Sequence, residues 1–348
     1  PGLSTARTFE SPVFSLGLIL AHHNRVDGVM ASSIGASAGT LRGAQLSGVF
    51  NVSSEASHGL QAAGVFNTAS AGFVGYQGAG VFNTISQGGR GIQTAGVFNS
   101  VGGSFDGVQS AAIYNQVSGR VRGGQISGIF NTAGPLQGAQ ISVVNVGGDV
   151  TGAQIGIVNI GKTVRGAQIG LVNISEDIYG APIGLVNLVE NGITDASYWI
   201  EGDERVWVGL QNGSRHFYTL VYAGILRDTD FRQLAGLAAG AGVGARINTR
   251  PFYFDVDLSL RKASEGESSE ERFFSLFHGE RGAWFPTGRA LAGIAIGDGL
   301  GFFLGGTFDA VIPGVTSQVP GYHDGEAFYE LDDGNLLLYP KLVMGFKL

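Results

Sequence analysis

The chain contains no cysteine and only two methionines in 348 residues. Without cysteine there can be no disulfide scaffold, no zinc–thiolate site and no thiol catalysis. Charge is scarce as well: Asp, Glu, Lys and Arg make up 14% of the chain. The net charge of −7 has the wrong sign to release counterions from phosphate backbones, so nucleic acid is excluded as a partner. No run approaches the roughly 18 apolar residues of a membrane helix. The best candidate, 234–245, is mostly Ala and Gly. Pro1-Gly2-Leu3-Ser4 has neither the basic segment nor the apolar core of a signal peptide, consistent with a processed start that would hide an export signal. These absences exclude a helical membrane protein but leave a membrane β-barrel open, because its strands carry a much weaker hydropathy signal.

What is present is glycine, 59 residues of it, alongside 44% hydrophobic and 10% aromatic residues. Such a chain is neither disordered nor collagen-like. Its middle is repetitive. Gly-Val-Phe-Asn ends at Asn51, Asn67, Asn83 and Asn99, Ala-Ile-Tyr-Asn at Asn115 and Gly-Ile-Phe-Asn at Asn131. Shorter Val-Asn endings follow at Asn145, Asn159, Asn173 and Asn187. The spacing is sixteen for five intervals and fourteen for the next four. A glutamine stands six, later five, residues earlier, at Gln45, Gln61, Gln77, Gln93, Gln109, Gln125, Gln140, Gln154 and Gln168, and Pro182 takes its place in the last copy. Two residues before each of these is a glycine, from Gly43 to Gly180.

Fourteen to sixteen residues are too few for a helical hairpin, and Val, Ile, Phe, Gly and Asn favour strand and turn. Each unit reads as one coil of a β-solenoid of about ten coils. Stacking at about 4.8 Å per coil gives a rod of roughly 43 Å, with the Asn and Gln columns as structural side-chain amide ladders. Antiparallel hairpins stacked as a meander fit the same spacing. One column varies: His58, Val74, Arg90, Asp106, Arg122, Gln137, Thr151, Arg165 and Tyr179. Its upstream neighbour is usually apolar (Phe73, Phe105, Val121, Leu136, Val150, Val164, Ile178), as an inward residue would be. The variable column therefore faces solvent, and His58, Arg90, Asp106, Arg122, Arg165 and Tyr179 form the candidate binding stripe.

Outside the repeats the pattern changes to longer alternation. Phe252, Phe254, Val256, Leu258 and Leu260 alternate with Tyr253, Asp255, Asp257, Ser259 and Arg261. Eight such segments are predicted: 12–23, 199–212, 215–227, 233–247, 251–262, 284–297, 300–312 and 335–348. Many run to lengths that cross a bilayer at a tilt. Tight turns alternate with the long polar stretches 263–283 and 313–334, the arrangement of an outer-membrane barrel. The predicted fold class is all-β: an eight-stranded antiparallel outer-membrane β-barrel with an inserted β-solenoid. Residues 1–23 supply the first barrel strand, 24–197 the solenoid inserted in the first outer loop, and 198–348 the remaining seven strands. Tyr198, Trp199, Trp207, Tyr218, Tyr222, Trp284, Phe285 and Tyr339, near segment ends, are the expected interfacial aromatics. An eight-stranded barrel is only wide enough to be filled by side chains, so it reads as an anchor.

Phe14-Ser15-Leu16-Gly17-Leu18, then Arg25-Val26-Asp27-Gly28-Val29, then serial Gly-x-Gln-x-x-Gly-Val-Phe-Asn units resemble bacterial surface-repeat proteins, a largely uncharacterised group of outer-membrane proteins. The similarity covers residues 12–190 and the later strands only in general character. It implies a surface location in the bacterial outer membrane and carries over no catalytic residue. The ending Phe346-Lys347-Leu348 is similar to the terminal signal read by the outer-membrane assembly machinery, except that leucine stands where an aromatic is usual.

Chemistry is hard to find. Gly240-Ala241-Gly242-Val243-Gly244 lacks the following helix and lysine of a nucleotide loop, and inward glycines of a barrel strand explain it better. The six histidines show no metal-binding spacing, and no nucleophile elbow occurs. Asp255 and Asp257 share a strand face and are expected in an ion-pair network with Arg246, Arg261 or Lys341. The acidic stretches 264–271 and 324–333 lack the ligand spacing of a calcium loop. No catalytic residue, cofactor or metal is expected. The expected function is a non-enzymatic outer-membrane anchor displaying a solenoid for surface recognition, adhesion or assembly into an envelope complex. Its partners would be outer-membrane lipid and other envelope or surface proteins. An uptake channel would need a continuous polar lumen. A soluble solenoid binding module would need aromatic or carboxylate columns at repeat spacing.

Overall fold

The computed structural model describes residues 13–202, 205–227, 234–264, 283–297, 299–312, 329–331 and 336–348. Every regular element is a β-strand, and the chain divides into two compact units, 1–179 and 180–348.

The first unit is a parallel β-solenoid, which decides against stacked hairpins: each strand pairs in parallel with the one a coil later. Asn67 aligns with Asn83 and Gln77 with Gln93, at an offset of sixteen residues that falls to fourteen from Phe130↔Val144 onward. Inward positions carry the core. Leu41, Phe73, Phe105, Val121, Leu136, Val150 and Val164 are all buried, in the column predicted to point inward. Packing there is complementary: Gly89 sits in register between Phe73 and Phe105, where a Cβ would come within 2.7 Å of Ile85.

The repeating glycine has a second reason. From Gly28 to Gly166 these glycines hold φ between +127° and +156°. A Cβ on Gly59, Gly75, Gly91 or Gly107 would lie 1.8 Å from the carbonyl oxygen of the glycine one coil before. Any side chain would push the coils apart.

The solenoid differs from expectation in extent. It has about twelve turns rather than ten, because two turns precede the first Asn copy. There Ala21 and Ala36 occupy the asparagine position and Met30 the glutamine position, so those coils lack the motif that made the others legible. Residues 12–23 are not a barrel strand: Phe14–Gly17 pairs in parallel with Val29–Ser32, and Leu20–Ser32 pairs with Gly35–Ser47. Both architectures place side chains with a period of two, so alternation alone could not separate them.

The second unit holds a closed eight-stranded antiparallel barrel. In order its strands are Ile193–Glu201, Arg205–Gly213, Phe217–Arg227, Leu234–Thr249, Phe252–Ser264, Ala283–Ile296, Leu300–Val311 and Leu336–Lys347. The first pairs with the last, Ser197 with Lys347 through Glu201 with Val343, which closes the ring. Tyr329–Leu331 adds a short partner to the last strand. The solenoid therefore precedes the barrel instead of interrupting it. The predicted segment 199–212 is two strands joined where Glu201 faces Arg205. Trp199, Glu201, Arg205 and Trp207 all point inward, so alternation keeps its parity through the turn and hid it.

Candidate functional site

Two features stand out: the buried amide columns of the solenoid and the ionised interior of the barrel. Each predicted ladder residue from Asn51 to Asn173 and from Gln45 to Gln168 is essentially inaccessible to solvent. Asn51 Nδ2 donates to Asn67 Oδ1 at 2.8 Å, and the chain of bonds continues, through Asn99 to Asn115 at 2.9 Å, to Asn173. The glutamines run the other way: Gln61 Nε2 donates to Gln45 Oε1 at 2.7 Å, and so on to Gln168. Opposed directions place the two rows of amide dipoles antiparallel, so they do not add along the rod.

Both ladders end where the sequence column ends. Asn51 Oδ1 and Gln168 Oε1 are buried acceptors without a donor among the described residues. Each lies at the terminus from which its ladder has no further amide to supply a hydrogen, Ala36 preceding one and Pro182 following the other. Asn187, the last predicted member, is turned to a different use. Its backbone N and its Nδ2 donate to Asn212 Oδ1 at 2.9 and 2.7 Å, and its Nδ2 also reaches Thr219 Oγ1, tying residues 184–187 to the Arg205–Gly213 and Phe217–Arg227 hairpin.

The variable column lies on the surface in one straight register. Arg42, His58, Val74, Arg90, Asp106, Arg122, Gln137, Thr151 and Arg165 align coil by coil, and all are exposed. Arg122 Nε donates to Gln137 Oε1 at 3.0 Å, and the Arg165 guanidinium lies over the Tyr179 ring. Arg42 extends this row beyond the residues anticipated. A second column was overlooked although legible throughout. The rings of Phe50, Phe66, Phe82, Phe98 and Tyr114 stack at 4.8–5.4 Å, half-exposed on the outer surface. At the first coils, partial burial and neighbouring His22 hold the His23 ring below its ordinary pKa.

The barrel is inverted relative to a water-soluble one. Val256, Leu258 and Leu342 are 62, 65 and 72% exposed, whereas Asp255, Asp257 and Arg261 on the alternate face are buried. The expected network is there with partners partly exchanged. Asp255 binds Arg246 at 2.7 Å and also Lys347. Asp257 takes Arg289 at 2.6 Å and the Tyr218 hydroxyl. Arg261 bridges Glu201 at 2.7 Å and Asp309 at 3.2 Å, and Lys341 joins Asp309. Strand Leu336–Lys347 thus contributes two cations, and the sequence reading undercounted the charge inside.

Aromatic rings fill what remains. Trp207 lies 4.2 Å from the Arg261 guanidinium and Trp199 4.7 Å from that of Arg289. Of the aromatics expected at an interface, Tyr198 and Trp284 face outward; Trp199, Trp207, Tyr218, Tyr222, Phe285 and Tyr339 point into the lumen. Inward glycines make room for them, since a Cβ on Gly224 or Gly240 would meet Trp207 or Tyr222 within 2.4 Å.

Among the described residues no three His, Asp or Glu side chains converge as metal ligands. Most of 264–271 and 324–333 lies outside the described residues. No family model, curated protein or solved structure matches the chain.

Proposed function

We propose that the barrel is embedded in a membrane, in the manner of bacterial outer-membrane barrels, and anchors a non-enzymatic solenoid used for recognition, adhesion or assembly within the envelope. The inverted polarity of the barrel carries this reading. In water its belt of Val, Leu, Ile and Phe would be an aggregation surface; in lipid it is the required exterior. Strands of 9 to 16 residues suit a tilted crossing, for which about 9–11 residues suffice. The lumen, occupied by ion pairs and aromatic rings, supports an anchor rather than a channel. The resemblance of residues 12–190 to surface-repeat proteins supports an envelope location.

Connectivity also bears on sidedness. The chain enters the barrel at Ile193, opposite Gly213, at the end that carries the tight turns Gly213–Phe217 and Thr249–Phe252 and the final Leu348. In outer-membrane barrels that end faces the periplasm. The expectation of surface exposure rested on a barrel strand in 12–23 and on the resemblance to surface-repeat proteins; without that strand, the connectivity favours repeats that face the periplasm. The natural lack of cysteine makes the test clean. A single Thr151→Cys, expressed with an export signal in a Gram-negative host, should react with an impermeant maleimide only after the outer membrane is opened. Labelling on intact cells would return the solenoid to the surface.

A further inference from the structure

The solenoid face that carries the variable column shows an order of side-chain sizes that the fold does not require. Around buried Gln61, strand Ser57–Ala63 turns His58, Leu60 and Ala62 outward, and the coils of Gln77 to Gln168 repeat this arrangement in register. In the column just before the glutamines, Leu60, Tyr76, Ile92 and Val108 give way to Gly124, Ala139, Ala153 and Ala167. In the column just after them the order is reversed: Ala62, Gly78, Thr94 and Ser110, then Ile126, Ile141, Ile155 and Ile169. From Tyr76 to Ile169 the bulky members are 38–47% exposed. Ala62, Gly78 and Thr94, in the small half of the second column, line an open groove of about 690 Å³. Outward side chains do not set the stacking of the coils, so nothing in the rod calls for both columns to switch at the same coil.

A second copy accounts for the switch. A two-fold axis along the strand direction, between the coils of Gln109 and Gln125, turns the rod end for end and lays each column on itself. Leu60 then faces Ala167 and Ile92 faces Ala139, while in the other column Ala62 faces Ile169 and Thr94 faces Ile141. Large meets small at all eight coils, as packed sheet faces with interdigitating side chains require. In the single chain Tyr76 leans across Gly78, its hydroxyl 2.7 Å from Thr94 Oγ1; opposite Ala153 of a copy it has room to stand upright.

The same operation makes the variable column the solvent-facing rim, and its charges match. Asp106 meets Arg122, Arg90 meets Gln137, and the Arg165 guanidinium can donate to a neutral His58 ring. Eight coils at about 4.8 Å and three columns at about 6.6 Å make a strip of roughly 700 Å². That is close to the roughly 800 Å² each partner gives a standard interface. The coil of Gln45, with Ala44 and Leu46, breaks the order and lies outside the paired set.

We propose that this face binds a second copy of the chain, antiparallel and two-fold symmetric. Such pairing names a partner for the recognition role above, yet it rests on the solenoid alone. A barrel found outside membranes would leave it untouched, and a monomeric solenoid would leave the membrane reading untouched.

Sedimentation velocity of the full chain in a non-ionic detergent should show a dimer at micromolar concentration. Ala139→Lys, an outward change among small neighbours, sets an ammonium against Ile92 and should weaken that dimer at least tenfold. Asp106→Arg should weaken it at least threefold, and adding Arg122→Asp should restore it. Val74 and Thr151 are rim positions that face each other only between copies, being about 24 Å apart within one rod. In this cysteine-free chain the Val74→Cys/Thr151→Cys double variant should give a covalent dimer with a short bis-maleimide, and neither single variant should. That arm decides the matter if Ala139→Lys fails to fold. A monomer throughout, a dimer indifferent to the charge reversal and to Ala139→Lys, or no covalent dimer from the double variant would overturn the proposal.

Discussion

The amide ladders make a position-dependent prediction that simple burial does not. Asn99 and Asn51 are equally buried, and each donates to a glutamine carbonyl, a carbonyl of the next coil and the next asparagine. Replacing either with alanine opens a cavity of the same size. In mid-ladder, however, Asn99→Ala strands two groups: Asn115 Oδ1 loses its donor, and one amide hydrogen of Asn83 loses its acceptor. At the ladder's end, Asn51→Ala strands Asn67 Oδ1 but also removes Asn51 Oδ1, which has no donor among the described residues, so the number of unsatisfied side-chain groups is unchanged. Each additional buried, unsatisfied group costs about 1–3 kcal/mol, and the two variants differ by two such groups, so Asn99→Ala should be more damaging by at least the cost of one. All three tryptophans lie beyond the solenoid, so fluorescence would not report on it. Hydrogen exchange of the full protein, read on peptides spanning each mutated coil and its neighbours, would. Exchange around residue 99 should be faster than around residue 51 by roughly 5- to 150-fold. Equal acceleration at both sites would refute the claim that the ladder bonds, rather than packing alone, hold the coils.

Two other perturbations probe the remaining structural arguments. Gly91→Ala places a Cβ 1.8 Å from the Gly75 carbonyl at φ +131°, whereas a Cβ on Gly72 meets nothing closer than 3.4 Å. The first should cost roughly 3 kcal/mol or more and the second little, compared by circular-dichroism melts in detergent. In the barrel, Arg261→Met leaves Glu201 and Asp309 buried without their shared cation, a loss of about 3–5 kcal/mol. That loss should appear as a lower temperature for the folded-to-unfolded mobility shift on gels, while Leu258→Met on the outer face should leave it unchanged.

Much of the fold was legible because periodicity maps directly onto geometry. A fixed sixteen-residue interval between Asn51 and Asn131 can be met by stacked coils, and alternation from Phe252 to Arg261 by a strand with one apolar and one charged face. What escaped were the places where two geometries share a period. Phe14 to Leu20 alternate as a barrel strand would, yet form the first solenoid turns. The strand Ile193–Glu201 was split between the repeat region, which took residues 193–197, and the segment 199–212, because its hairpin with Arg205–Gly213 preserved side-chain parity across the turn. The ladder residues were readable by identity alone, and their direction of donation was not. The pairing of Asp257 with Arg289, and that of Arg261 with Glu201 and Asp309, depend on strands distant in sequence. No local pattern encodes such meetings.

The inverted barrel is the central claim, and spin labels on single introduced cysteines test it most directly. Labels at Leu210, Val256 and Leu342, all outward-facing, would be examined in lipid vesicles for collision with oxygen and with a water-soluble nickel chelate. Val74, on the exposed solenoid column, serves as the aqueous control. The account predicts high oxygen and low nickel accessibility at the three barrel sites and the reverse at Val74. Barrel labels as open to nickel as Val74 would contradict it.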